Sequence, residues 1–372
     1  MIPSTGLAVP PLLAAALLVA LHATAWRRRV DQGACLLVLL LALVLPWMAD
    51  APAPSAADLL AILFAAGALT DAVAGPSRHR FVQAAGQLRL AAMLLALRPA
   101  DPLVSLLFLA LASTAGAARR LPRTDAVAAR LLAGNVSLGL ALFGVVALQA
   151  GSVPIGGAAL LLGWGALVVL DPTLLPLVLL LALRLQAATG AESHGNLVGN
   201  LMVAGGLGVL LASAAVLLLR RPGLRRLPNL TTLAQGGVAL CGFGLGGPDL
   251  RFAGLVHLAL LTLSRSALLL SGEAGLDRLA SLLGLSGLPP IGLFPSLALI
   301  VGGIAVMAPW LLLPMAVGLV GLGWVCVASL PAAVGPAHLS PAWLPLVLAL
   351  LLGFAMPAPI AAWFHAMAVA PP

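Results

Sequence analysis

Apolar residues run along this chain in blocks of about twenty, separated by short breaks of Gly, Pro or charge. A helix needs roughly 20 apolar residues to cross the hydrocarbon core of a bilayer. The blocks predict such helices over residues 6–26, 33–49, 56–75, 81–98, 102–118, 130–149, 153–170, 172–188, 196–219, 230–246, 252–271, 280–307, 309–330 and 341–367. The pattern is that of an all-α polytopic membrane protein with about 14 transmembrane helices. Span 4 is the most polar, holding Gln83, Gln87 and Arg89. Span 8 is short enough to be half of a broken helix. Span 12 contains Pro289, Pro290 and Pro295 and is expected to be interrupted. No basic segment precedes the first run, which therefore reads as a retained helix and not a cleaved signal.

Composition narrows the function. Hydrophobic residues make up 62% and charged residues 8% of the 372, against about 25% charged in a soluble domain. That excludes a soluble enzyme and a disordered tail. Fourteen spans would use roughly 280 residues and leave only short loops, so a redox or nucleotide site would belong to a partner chain. The net charge of +8 does not indicate nucleic acid, because the arginines form short clusters between apolar runs. Arg27, Arg28 and Arg29 fall between spans 1 and 2, and Arg78 and Arg80 between spans 3 and 4. Arg119, Arg120, Arg123 and Arg130 fall in or beside the connection from span 5 to 6, Arg220, Arg221, Arg225 and Arg226 in that from 9 to 10, and Arg278 in that from 11 to 12. These are all odd-numbered loops and hold 14 of the 19 arginines, against Arg98 and Arg251 on the other side. The expectation is a bacterial inner membrane protein with cytoplasmic odd loops and both termini periplasmic. Cys35, Cys241 and Cys326 are isolated, with no disulfide or zinc spacing. No phosphate loop, hydrolase triad or metal cluster appears, so no catalytic, metal or cofactor-binding residue and no cofactor is assigned.

Several segments carry a family resemblance. Residues 229–241, NLTTLAQGGVALC, resemble the "SSIAQ-x-G" helix start of the antiporter-like subunits of respiratory complex I. AGLVHLALLTLSRSALLLSGEAG (253–275) resembles their "H-x-x-x-H-x-x-x-K-A-L-L-F-L-x-A-G" helix, and LGLSGLPPIGLFPSL (283–297) their "G-L-P-P-x-x-G-F-x-x-K" broken helix. LLLGWGALVVLDP (160–172), ARLLAGNVSLGLALFG (129–144) and DPLVSLLFLALAS (101–113) resemble further helices of the same family, in the same order. The family includes the pumping subunits of complex I (NADH:quinone oxidoreductase), Mrp antiporters and the membrane arms of energy-converting hydrogenases. The resemblance covers about residues 100–330. It implies two inverted five-helix repeats, spans 4–8 and 9–13, with broken helices 7 and 12, an architecture that places transport sites at the midplane. It divides the chain into residues 1–100 (helices 1–4), 101–190 (first repeat core), 191–330 (second repeat) and 331–372 (helix 14).

In this family protons cross along buried Glu, Lys and His joined by water. A buried Lys suits that task because burial penalises its charged form. The matching positions here are Ala110 for the helix-5 Glu, Leu167 for the helix-7 Lys, Leu297 for the helix-12 Lys and Leu261 for the second helix-11 His. Pro176 is the best match near the helix-8 Lys. His257 keeps the first His, and Arg265 replaces the helix-11 Lys. All 19 basic residues are Arg, as a GC-rich genome would produce, but such bias does not turn Lys into Leu or Glu into Ala. Arg stays protonated in proteins, so Arg265 acts as a fixed positive charge.

His257 and Arg265 lie eight residues apart, a little over two turns, and face a similar direction on one helix. Two readings stand for them: a remnant hydrated site, or a satisfied buried His with an Arg paired elsewhere. Asp71, Arg89 and Arg184 are further intramembrane charges, which are costly and commonly functional. Asp71 and Arg89 each read as reaching a headgroup or a neighbouring subunit, with a pair between them across helices 3 and 4 as the alternative. Asp171, just before Pro172, reads as a boundary residue. Gly195 and Gly199 are spaced as GxxxG, a spacing that chance supplies among 40 glycines. Asn135 and Asn229 match a glycosylation pattern that a membrane helix makes irrelevant, and Glu192 with His194 reads as a loop pair.

The resemblance implies an antiporter-like subunit of a complex I-like or hydrogenase-like assembly. Most of its proton carriers are lost and its role is mainly structural, as an anchor among other membrane subunits and lipids. An active proton or Na⁺ translocating subunit, and a stand-alone transporter of unrelated substrate, are the alternatives. It would be at most a non-catalytic subunit of an oxidoreductase.

Overall fold

The computed structural model describes residues 4–20, 24–47, 55–74, 79–97, 101–118, 124–188, 197–220, 227–271, 275–289, 292–329 and 340–369. Glu192, His194, Gly195, Glu273 and arginines 78, 98, 119, 120, 123, 221, 225 and 226 lie outside them. Every regular element among the described residues is helical. In lipid each backbone N–H and C=O must be satisfied within the protein, and a helix does this within one segment. The chain divides into two compact units, Met1–Leu181 and Ala182–Pro372.

The first unit contains α1 (Val9–Ala20), α2 (Thr24–Val44), α3 (Ala56–Ala74), α4 (Arg80–Ala96), α5 (Pro102–Ala118), α6 (Thr124–Gln149) and α7 (Val153–Leu170). It also takes in the start of α8 (Leu175–Ala188), which follows α7 after a short 3₁₀ turn. Helix α4 packs against α1 and α5, and α6 and α7 form a close antiparallel pair.

The second unit contains α9 (Leu197–Arg220), α10 (Leu227–Leu245), α11 (Pro248–Leu270), α12 (Leu276–Ser286), α13 (Phe294–Met307), α14 (Leu312–Ser329), α15 (Trp343–Phe354) and α16 (Ala358–Val369). Its centre is α11, which touches α10, α12, α13, α15 and α16. Its sequence is apolar on nearly every face, and such a helix is buried all round.

Among the described residues seven helices are long and apolar enough to cross a membrane: Trp26–Trp47, Ala56–Ala74, Leu131–Gln149, Val153–Leu170, Leu197–Arg220, Pro248–Leu270 and Pro309–Ser329. The protein is a multi-pass membrane protein. Four shorter apolar helices, Gly6–Ala20, Pro102–Ala118, Pro172–Ala188 and Phe294–Met307, accompany them.

Several boundaries differ from those expected. Arg27, Arg28 and Arg29 are not in a loop but in the first turns of α2, and Arg80, Arg220, Arg251 and Arg278 also lie inside helix ends. Hydropathy locates the apolar stretch, whereas helical hydrogen bonding continues into the polar turns beyond it. The C-terminal stretch is not one straight helix: α15 and α16 meet at 74°. Ala355 is non-helical at φ −133°, and Pro357 has no N–H with which to continue the helix. Span 12 is interrupted as its prolines predict, between α12 and α13. Helix α7 is continuous, and the interruption falls after it, at Asp171 and Pro172.

Two helix hairpins, α6–α7 and α9–α10, are drawn together by glycine. On α9 and α10, a Cβ added to Gly206 would lie 2.5 Å from the Gly237 carbonyl oxygen, and one on Gly199 would lie 2.5 Å from that of Gly244. Small residues let membrane helices approach to backbone contact. Gly199 therefore has a packing role, but its partners are seven residues apart on each helix, not the GxxxG spacing with Gly195.

Candidate functional site: two buried polar groups

The helix break of the second unit is held at both ends by buried side chains. Helix α12 ends at Gly287, left-handed at φ +77°. There the Gly287 N–H bonds to Gly284 O at 3.4 Å and the Leu288 N–H to Leu283 O at 3.3 Å, a double closure that favours glycine. The Leu293 N–H returns to Gly284 O at 3.0 Å. From α10, Gln235 Nε2 donates to the carbonyl of Ser286, the last residue of α12, at 3.0 Å. From α11, His257 lies 3.0 Å through Nδ1 from Ser296 Oγ in the first turn of α13. The Ser296 hydroxyl donates its one proton to Leu293 O at 2.9 Å. The direction of the His257–Ser296 bond is set by the imidazole tautomer. His257 Nε2 and Gln235 Oε1 remain without a hydrogen-bond partner, and both residues are fully buried.

The other expected residues surround this group. Leu261 is buried one turn after His257 on α11. Leu297 is half-buried on α13, and a Cβ on Gly287 would sit 3.1 Å from its Cδ2 and 3.3 Å from Gln235 Nε2. Arg265 is half-buried two turns beyond His257; the structure joins His257 to Ser296, not to Arg265.

The first unit holds an ion pair that sequence reasoning assigned otherwise. Arg89 on α4 pairs with Asp171, Nη2 to Oδ2 at 2.6 Å, and not with Asp71 on α3. The same Nη2 donates to Thr173 Oγ1. Asp171 Oδ1 accepts from Thr173 Oγ1 at 2.8 Å and from its N–H at 3.3 Å, capping the 3₁₀ turn that starts at Pro172. Asp171 is thus a boundary residue, as expected, and a buried counter-ion besides. A Cβ on Gly116 of α5 would come 2.8 Å from Asp171 Oδ2, so only glycine leaves room for the pair. The 81 intervening residues gave no motif for this pairing. The available signal was two charges in otherwise apolar spans, each of which the sequence read singly: Arg89 toward a headgroup or neighbouring subunit and Asp171 as a boundary residue. Asp71 and Ala110 are half-buried, and Leu167 is fully buried on α7.

The fold is shared with chains of solved respiratory membrane complexes. One stretch of 175 aligned residues is 30% identical to the hydrogenase-4 component F homolog of Methylacidiphilum infernorum (isolate V4), covering 41% of this chain and 37% of the relative. In this match the chain spans little more than a third of the relative's length. No protein-family model matches. The membrane-bound sulfane sulfur reductase, an archaeal respiratory membrane complex, has a chain of the same fold. Its TM-score is 0.77 at 14% identity, over 98% of this chain and 96% of that one. Respiratory complex I from Thermus thermophilus, solved with bound aureothin, has another, with a TM-score of 0.73 at 18% identity over 95% and 99%. Sequence match and shared fold together support the antiporter-like membrane-subunit family for this chain.

Proposed function

We infer that this chain is an antiporter-like integral subunit of a complex I-like or hydrogenase-like respiratory assembly, and that its role is mainly to anchor neighbouring membrane subunits. The observation that carries the reading is the apolar packing at matched proton-carrier positions: Leu167 and Leu261 are buried, and neither side chain can take up a proton. Asp171, four residues after Leu167, is neutralised by Arg89. Its expected place is the bacterial cytoplasmic membrane, with both termini on the periplasmic side, in line with the arginine distribution. Division into two inverted repeats belongs to the same reading.

The test is proton flux through the purified complex in liposomes, comparing native protein with His257→Ala and Arg265→Ala. Unchanged flux with intact assembly is expected. A flux defect in either assembled variant would overturn the anchoring role. A second reading, a working proton or Na⁺ translocating subunit, draws on the unpartnered His257 Nε2 and Gln235 Oε1 at the helix break.

A further inference from the structure

A polar contact separate from both groups above lies where Gln87 of α4 meets α2. Gln87, only 2% exposed, donates through Nε2 to Asp31 Oδ1 at 2.6 Å, to Asp31 O at 3.1 Å and to Cys35 Sγ at 3.2 Å. Three acceptors around one nitrogen fix the orientation of the amide, because the flipped form would set oxygen against oxygen. The Gln87 Oε1 that results is buried without a hydrogen-bond partner, and so is Oε1 of Gln83, one turn earlier on the same face of α4. Two buried carbonyl oxygens thus lack a donor beside a half-buried carboxylate. Leaving them bare forfeits the hydration each oxygen would have in water, with no hydrogen bond in return.

The missing donor has a definable chemistry. Arg27 sits one turn before Asp31 on α2 and is buried, so a positive charge already faces this carboxylate side and opposes a second cation. A neutral O–H donor meets the need, and a buried polar site of this kind ordinarily holds water with about three hydrogen bonds. Access follows from the helix ends. Asp31 and Gln87 each lie seven residues from the start of their helix, about 10 Å along the axis. Those starts carry Arg28 and Arg29, which are exposed, and Arg80. We propose that α2 and α4 hold an internal water site between Gln83, Gln87 and Asp31, filled from the arginine-rich end of these helices and reaching Cys35.

The chain contains its own reporter. Cys35, Cys241 and Cys326 are all buried thiols, and only hydrated thiols ionise and react readily. Native membranes carrying the full complex are treated with methyl methanethiosulfonate, a small neutral thiol reagent, and labelling of each cysteine is followed by mass spectrometry. Cys35 is expected to react about tenfold faster than Cys241 and Cys326. The double substitution Gln83→Leu and Gln87→Leu, or Gln87→Met alone as a milder form, is expected to remove that advantage. Equal rates for the three native thiols would overturn the proposal, even if the variants fail to assemble. An unchanged Cys35 rate in an assembled variant would overturn it as well.

Discussion

Replacing Arg89 by leucine is predicted to destabilise the first unit far more than its loss of contacts suggests. The side chains of Arg89 and Asp171 are 8% and 10% exposed and meet at 2.6 Å. Removing either partner leaves the other as an uncompensated buried charge, a cost of about 3–5 kcal/mol. Arg89→Leu strands the Asp171 carboxylate. Asp171→Leu strands the guanidinium and also removes the acceptor that caps Thr173. Independent sites would give a double variant destabilised by about 6–10 kcal/mol, the sum of the two. A coupled pair gives a double variant no worse than either single one, because apolar residues of similar volume replace both charges with little net cost. The assay is denaturant-induced unfolding in detergent. The fluorescence of Trp164, buried on α7 one residue short of two turns from the end of that helix, is the local probe in a background where the other six tryptophans are phenylalanine. Additive losses in the double variant would refute the ion-pair argument.

The remaining predictions concern packing and the helix break. Gly116→Ala should mimic part of the Arg89 defect, costing about 1–3 kcal/mol, since its methyl group displaces the Asp171 carboxylate. Gly206→Ala should lower thermal stability by a similar amount, about 1–3 kcal/mol, by forcing α9 from α10. Gly208→Ala, with nothing within 4 Å of the added Cβ, should be neutral or slightly stabilising in the same melting experiment. Ser296→Ala should cost about 1 kcal/mol through the lost His257 contact, and hydrogen exchange should rise at α13 before it rises at α14.

The span pattern alone was enough to establish a polytopic helical protein. Blocks of apolar residues leave lipid as their solvent and helix as their backbone geometry, and Pro289, Pro290 and Pro295 marked the break in span 12. Ordered motifs over residues 100–330 identified the family resemblance and with it His257, Leu261 and Leu297 around one helix break. These signals are local: each depends on residues within one or two turns. Tertiary structure decided the rest. Arg89 chose Asp171 over Asp71 because helix packing, not order along the chain, sets which charges meet in a low-dielectric interior. Gly116 and Gly206 acquired their meaning only when another helix arrived within contact distance. Gln87 looked like a weak point in span 4 until α2 brought Asp31 and Cys35 to its amide nitrogen. A buried polar atom is defined by what surrounds it, and those surroundings come from residues tens of positions away.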